Sequence, residues 1–97
     1  MTLTNQQIRY LKSFAHHLKP IVMIGNKGIN ENVLVELDRA LEYHELIKIS
    51  IAGADREERR NLTEVLCQKS GAQLVQIIGR ISVLYRVSEE PKLFANS

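Results

Sequence analysis

The sequence contains few of the residues that build disulfide scaffolds, membrane spans or aromatic binding surfaces. Its single cysteine, Cys67, allows no internal disulfide and fits a reducing, cytoplasmic location. No apolar run approaches the roughly 20 residues needed to span a bilayer, and the first residues lack the basic and apolar regions of a signal peptide. We therefore expect a cytoplasmic protein with no membrane partner.

Aromatic residues and excess charge are also scarce. The chain has three tyrosines, two phenylalanines and no tryptophan, so it offers little material for base-specific reading of a nucleic acid. Tyr10 and Tyr85 are the candidates for stacking on an unpaired base, against the commoner role of a tyrosine in packing. The net charge is only +2, so nucleic-acid binding would require that basic residues be segregated onto one face.

Start and stop signals divide the chain into three helices, which we expect at residues 4–19, 30–44 and 55–71. Thr4 with Gln7 is a capping-box pattern, and the first helix should continue until the Lys-Pro pair at its end. Apolar residues recur at helical spacing on each helix and are expected to face the core: Ile8, Leu11, Phe14, Ala15 and Leu18; Val33, Leu34, Leu37, Ala40 and Leu41; Leu62, Val65 and Leu66.

Four strands complete the expected α-β-α-β-α-β-β order, an α/β (α+β) fold with a four-stranded mixed sheet and two right-handed crossovers. Residues 46–51 alternate between apolar and polar side chains, which predicts a strand exposed to solvent on one side. Gly79-Arg80 suits a type II′ hairpin between strands 73–78 and 81–87. We expect one domain over residues 1–97, with a core at about 3–87 and a flexible tail at 88–97.

A glycine-bracketed loop follows the first strand, Ile21–Ile24. In Gly25-Asn26-Lys27-Gly28 the two glycines would let the backbone approach a bulky anion, and the helix beginning at Asn30 would direct unpaired N–H groups to the same place. This geometry predicts a phosphate-binding loop. Taken alone the pattern is weak, because strand-to-helix turns also use glycine for purely conformational reasons.

Basic residues are segregated on the first helix, which has no acidic residue. At 100° per residue four of its basic side chains fall within an arc of about 80°. A single basic residue is usually a solvated surface charge, but this segregation together with Lys27 favours an RNA-binding track. The four residues are Arg9, Lys12, His16 and Lys19.

The other helices and the strands distribute charge differently. The second helix has an acidic solvent face, formed by Glu31, Glu36, Asp38 and Glu42. Further basic residues lie near the start of the third helix and on the strands: Arg56, Arg59, Arg60, Lys48, Arg80 and Arg86.

Catalytic and metal-binding motifs are incomplete. His44-Glu45 resembles the start of the zinc-protease H-E-x-x-H motif, but Lys48 replaces its second histidine. The adjacent His16 and His17 are about 100° apart on a helix and cannot converge on one metal. The glycine loop lacks the Lys-Ser/Thr end of a nucleotide-binding Walker loop, and Cys67 has no evident catalytic histidine, so a half-buried structural thiol is favoured. We expect no enzyme, no cofactor and no metal.

Three blocks of the sequence carry a resemblance to a known family. Leu18 to Gly28, His44 to Lys48, and Ile78 to Arg80 followed by Leu84-Tyr85-Arg86 occur in the order of the signatures of the CRM domain, the chloroplast RNA splicing and ribosome maturation domain. The match spans residues 3–87. As a single free-standing domain, the chain is similar to the bacterial YhbY group.

The resemblance implies an RNA-binding protein associated with precursors of the large ribosomal subunit. It implies a fold like the C-terminal domain of translation initiation factor three with an added N-terminal helix. Carried over by position, the RNA-gripping loop is Gly25, Asn26, Lys27 and Gly28, with Lys12, Lys19 and Arg86 as basic residues beside it. The expected partners are structured RNA and pre-ribosomal particles, and a monomer is expected.

Two alternatives from other classes stay open. A small enzyme would need a convergent polar pocket. A protein-interaction module could dock on a basic ribosomal protein through Glu36, Asp38 and Glu42 of the second helix.

Overall fold

The computed structural model describes residues 2–53 and 55–94. Over these residues the chain forms three helices and one four-stranded sheet, which confirms the expected order and the α+β class. The elements are α1 (Asn5–Ala15), β1 (Pro20–Ile24), α2 (Glu31–His44), β2 (Leu46–Ile51), α3 (Arg56–Ser70), β3 (Gln73–Ile78) and β4 (Ile81–Tyr85).

The helix ends follow local side-chain chemistry. Thr4 accepts a hydrogen bond from the Gln7 backbone N–H at 3.1 Å, and the Gln7 side chain accepts one from the Thr4 N–H at 2.9 Å, which confirms the capping box. Asn30 and Asp55 each accept from the backbone N–H three residues on, both at 2.9 Å. Gly71 ends α3 with a φ of 77°, a left-handed conformation that favours glycine.

The first helix is shorter than expected. It ends at Ala15, and the next three residues hydrogen-bond to carbonyls three positions back, in a tightened turn. Because a residue before proline avoids the helical region, Lys19 in front of Pro20 could not extend the helix. The expectation that the helix continues to Lys19 is therefore wrong, and His16 is its C-cap residue.

The sheet has the strand order β1-β2-β4-β3. β1 pairs in parallel with β2, whereas β4 pairs antiparallel with both β2 and β3. Both helical crossovers, α2 and α3, thus connect strands that run in the same direction. In the β3–β4 hairpin Gly79 has a φ of 57° while Arg80 has no positive φ, which matches the type II′ turn. β4 ends at Tyr85, two residues before its expected end.

One face of the sheet packs against α2 and α3 and forms the larger core. The apolar positions expected on α2 are buried or partly buried in this core, which confirms that they face the sheet. The cluster consists of Val22, Ile24, Leu37, Leu41, Ile47, Ile49, Ile51, Leu66, Ala72 and Leu84.

The opposite face of the sheet is covered only in part. Leu11 and Ala15 of α1 pack there against buried residues of β2, β3 and β4, so the expectation that β2 is solvent-exposed on one side is wrong at Leu46. Phe14, expected on the apolar face of the helix, is 40% exposed. Lys48 and Ser50, the next two residues of β2 on this face, are partly exposed. α1 is about 16 Å long, and its last residues line a hollow together with Lys48.

The tail is anchored by a buried carboxylate, Glu45, which connects α2 to β2 and has an uncommon positive φ of 65°. Its side chain accepts hydrogen bonds from the Ser88 N–H and hydroxyl and from the Lys92 and Leu93 N–H groups, at 2.8–2.9 Å. Leu93 and Phe94 then pack on the α1 side of the sheet. Residues 88–94 are thus hydrogen-bonded to or packed on the folded domain, whereas the expected flexibility of the tail stays a prediction; residues 95–97 lie outside the described residues.

Hydrogen bonding decides the ionisation of this carboxylate. Burial raises the pKa of Glu45, but the bonds from Ser88, Leu93 and Lys92 outweigh it and leave the pKa below its ordinary value of 4.5. Because the folded pKa is the lower one, the carboxylate stabilises the fold above its ordinary pKa, and this stabilisation is lost as the pH falls through the folded value.

Glu45→Gln should therefore lower the free energy of unfolding at pH 7 by about 2 kcal/mol, because a charged acceptor of four hydrogen bonds becomes a neutral one. Urea unfolding followed by circular dichroism measures the difference. It should shrink as the pH falls through the folded pKa of Glu45, which lies below its ordinary value, because the wild-type carboxylate is then protonated too. Equal stability of the two proteins at pH 7 would show that the carboxylate does not anchor the tail.

Candidate nucleic-acid interface

The loop after β1 is a tight β-turn. The Gly28 N–H donates a hydrogen bond to the Gly25 carbonyl at 3.0 Å, which leaves Asn26 and Lys27 exposed at the tip. Since the turn uses the Gly28 N–H, that group is not available to a phosphate. The groups that remain for the expected phosphate contact are therefore those of the tip residues Asn26 and Lys27, including the Lys27 ammonium.

The neighbouring turn between β2 and α3 supports the loop. The Ala52 N–H donates to the Ile24 carbonyl at 2.9 Å, just before Gly25. The Asn26 side chain lies directly over Gly53, where a Cβ atom would collide with its amide oxygen. The turn thus contacts the loop at two places, and the φ of 75° at Gly53 favours glycine there.

The two loop glycines differ in what the fold requires of them. Gly28 has a φ of 70°, which accounts for the glycine by conformation alone. Gly25 is not among the positive-φ residues, and an added Cβ there would meet no atom within 4 Å. Neither packing nor φ accounts for Gly25, and the open space beside it leaves its backbone accessible to a ligand.

A cationic hollow lies between the end of α1 and the sheet. It has a volume of about 130 Å³, and Lys12, His16 and Lys48 contribute to its lining. Pro20 pairs with Lys48, which places the exposed Lys19 near the same rim. Arg9 lies one turn before Lys12 on α1. Four basic residues expected to act together are therefore on one side of the molecule, and Lys48 joins them.

Comparisons with known proteins show the family of this chain. The model of the CRS1/YhbY (CRM) domain matches residues 3–86. The chain belongs to this family. An RNA-binding protein of Haemophilus influenzae is 49% identical over 92 residues, covering 95% of this chain and 93% of that one.

Other CRM relatives agree in length and fold. A protein of Pseudomonas aeruginosa named probable RNA-binding protein is 46% identical, over 94% of this chain and 88% of its own. The solution structure of a Staphylococcus aureus protein, described as a candidate RNA-binding protein, superposes with a TM-score of 0.82 at 43% identity. It covers 94% of this chain and 95% of that one, which confirms the CRM fold.

Arg86 does not lie beside the CRM loop. Its N–H donates to the Glu45 carbonyl at the start of β2, whereas the loop lies beyond the other end of that strand, roughly 20 Å away. Its guanidinium donates to Asp38 Oδ1 at 2.7 Å and to the Ser70 carbonyl at 2.9 Å, and lies 3.5 Å from Glu42. The expectation that Arg86 adjoins the loop is wrong, because the antiparallel β4 carries it away from the hairpin end.

The candidate stacking tyrosines lie in aromatic contacts on the tail side of α1. Tyr85 is fully buried against Phe94, with ring centroids 5.6 Å apart, so it cannot stack on a base. Burial, followed by the charge of Glu45, raises the pKa of Tyr85. Tyr10 is 48% exposed but its ring contacts both Phe14 and Phe94.

A second basic cavity lies beside the β3–β4 hairpin and was not assigned to the site from sequence. It has a volume of about 640 Å³, and Arg59 donates to the Gly79 carbonyl beside it at 3.1 Å. The sequence signal for this cavity was a group of three arginines within five residues, but the sequence does not show that these side chains face the hairpin. The lining residues are Arg56, Glu57, Arg59, Arg60, Ile77 and Gly79.

Chemistry of other classes finds little support in the described residues. No three His, Cys, Asp or Glu side chains among them are placed to hold a metal ion. Burial, and then Glu64, raises the pKa of Cys67 to about 11, which confirms a half-buried thiol that is unreactive near neutral pH. None of the described helices is long and apolar enough to cross a membrane.

Gly25→Val tests whether a ligand approaches the CRM loop backbone. The added side chain has open space, so the melting temperature should change by less than about 3 °C. The affinity for RNA should fall by about tenfold, because the side chain stands where a phosphate would approach. Gly28→Val should lower both quantities, since its φ of 70° strains any other residue. Full RNA affinity in the Gly25 variant would remove the loop backbone from the site.

Proposed function

We propose that this protein binds precursor RNA of the large ribosomal subunit in the cytoplasm and assists ribosome maturation as a monomer, without catalysis and without a cofactor. The observation that carries the proposal is the convergence of Lys12, His16 and Lys48 on one hollow of a CRM domain. The two lysines held at one place on a nearly neutral protein attract a polyanion and gain affinity by releasing its counterions.

The Gly25–Gly28 loop and the α1 cations would hold the phosphate backbone, which positions RNA without reading its sequence. The described aromatic residues contribute little base recognition, since Tyr85 is buried and Tyr10 packs on other rings. Affinity should therefore exceed sequence specificity, and the target would be selected by RNA shape and abundance. The large-subunit precursor is the target that the resemblance to the YhbY group implies.

The alternative of docking through the acidic face of α2 has lost support. Asp38 and Glu42 form ion pairs with Arg86, at 2.7 Å and 3.5 Å. Arg86 thus compensates part of the charge that a basic protein partner would need. Glu36 remains exposed on that face.

Lys12→Glu combined with Lys19→Glu should weaken RNA binding by at least about a hundredfold at low salt, because two attractive charges become repulsive ones. Both side chains are exposed, so the fold should be retained. Arg39→Glu is the matched control, since Arg39 is exposed on the acidic helix α2. Filter binding measures the affinities. An effect of Arg39→Glu as large as that of the double variant would show that the RNA track is misplaced.

Lys27→Ala should weaken binding to unrelated RNA sequences nearly equally. It should reduce the magnitude of the slope of log K against log salt concentration by about one, as expected for one lost phosphate contact. A salt titration of the wild-type and variant proteins gives both slopes. If affinity and slope are unchanged, Lys27 does not contact the backbone.

A sucrose gradient of a cell lysate tests the proposed target. At low salt the protein should sediment with large-subunit particles, be depleted from translating ribosomes, and dissociate as salt is raised. Deletion of the gene should slow maturation of the large subunit. Sedimentation only with free small subunits, or a position indifferent to nuclease and salt, would contradict the proposed function.

A further inference from the structure

The half of the sheet that α1 does not cover carries a continuous row of side chains across all four strands. Met23 pairs with Ser50, Ser50 with Ile81, and Ile81 with Ile78. Three of the four side chains are apolar. Strand pairing therefore places an apolar strip across the sheet at its hairpin end, one residue before Ile24 and the glycine loop.

The strip points to the α1 side of the sheet. Val22 and Ile24, the neighbours of Met23, are buried in the core with α2 and α3, and successive strand residues face opposite sides. Ile78 and Ile81 line the hollow at the end of α1. Met23 is 61% and Ile78 57% exposed, so nothing in the described part of the chain covers the two ends of the strip.

Basic residues border the part of this strip that lines the hollow. Lys12, His16 and Lys48 line the hollow together with its two isoleucines, and the described lining contains no carboxylate. Lys27 lies in the loop that follows β1. An apolar floor with a cationic rim is complementary to a ligand whose flat faces are apolar and whose backbone is anionic.

We propose that the strip Met23, Ser50, Ile81 and Ile78 is the floor on which unpaired RNA bases lie while the bordering basic residues hold the phosphates. This inference rests on the proposed function and specifies its ligand: a single-stranded or bulged RNA segment. In a duplex the base faces are stacked on each other, and a protein meets mainly phosphates and 2′-hydroxyls. Only splayed-out bases can bury their faces on this apolar surface and gain its transfer free energy.

A second copy of the chain fits this surface less well. A two-fold interface on the strip would bring the two Lys12–Lys48 rims together, and like charges in contact are unfavourable. The phosphates of RNA would instead neutralise the positive charge of Lys12 and Lys48.

The variants Met23→Ser and Ile78→Ser test the inference, with Val35→Ser as the matched control. Val35 is 46% exposed on α2, which packs on the other face of the sheet. Affinities are measured by fluorescence anisotropy for an unstructured oligoribonucleotide and for a fully paired hairpin with the same number of nucleotides. Circular dichroism melting accompanies each variant, and Ile78→Ser alone is used if Met23→Ser does not fold.

The strip variants should bind the unpaired RNA about tenfold more weakly, should bind the hairpin with less than a twofold change, and should keep the wild-type salt slope, because no phosphate contact is lost. The control should match the wild type on both RNAs. Equal effects on the two RNAs, no effect on either, or an equal effect of Val35→Ser would overturn the inference.

Two further outcomes are distinguished. Analytical ultracentrifugation that shows a wild-type dimer dissociated by Ile78→Ser would assign the strip to self-association and overturn the inference. If the wild-type protein binds neither RNA in a salt-dependent way, the proposed function itself fails. If binding depends on salt but is the same for paired and unpaired RNA and is unchanged by the strip variants, the inference is refuted while the proposed function stands.

Discussion

The surface of this protein depends on how little helix is available to cover a four-stranded sheet. α2 and α3 together cover one face and bury its apolar residues. Within residues 2–53 and 55–94, the other face receives α1, with 11 residues, and a short piece of tail. One half of that face is consequently packed and the other half open. The open half lies at the end of the sheet where the glycine loop and the hairpin meet.

At the packed end of the sheet, polar side chains connect the tail and α2 to the strands. Glu45 accepts hydrogen bonds from the tail, and Arg86 connects β4 with α2 through Asp38. In both networks the charged groups of Glu45 and Arg86 form hydrogen bonds within the chain, so these groups have little hydrogen-bonding capacity left for a ligand. At the open end, Lys12 and Lys48 face a hollow without a carboxylate among its described lining residues. Acidic and basic residues are thus used for different purposes at the two ends of one sheet.

Local chemistry explains why much of this was predictable. The capping box at Thr4, the caps Asn30 and Asp55, and the hairpin glycine Gly79 act within a few residues of the chain. The Gly25–Gly28 loop and the separation of charge between α1 and α2 could be read in the same way. The end of α1 was wrong by one turn, because a tightened turn of three residues precedes Pro20.

The sequence by itself determined the order of the elements, their caps and the family, since each is encoded by neighbouring residues or by ordered motifs. Only the tertiary structure decided the contact of Glu45 with Ser88 and that of Arg86 with Asp38, each of which joins residues more than 40 positions apart in the chain. It also decided that Met23, Ser50, Ile81 and Ile78 form one strip. Strand order and register bring such residues together, and both arise from packing across the whole sheet rather than from any local pattern.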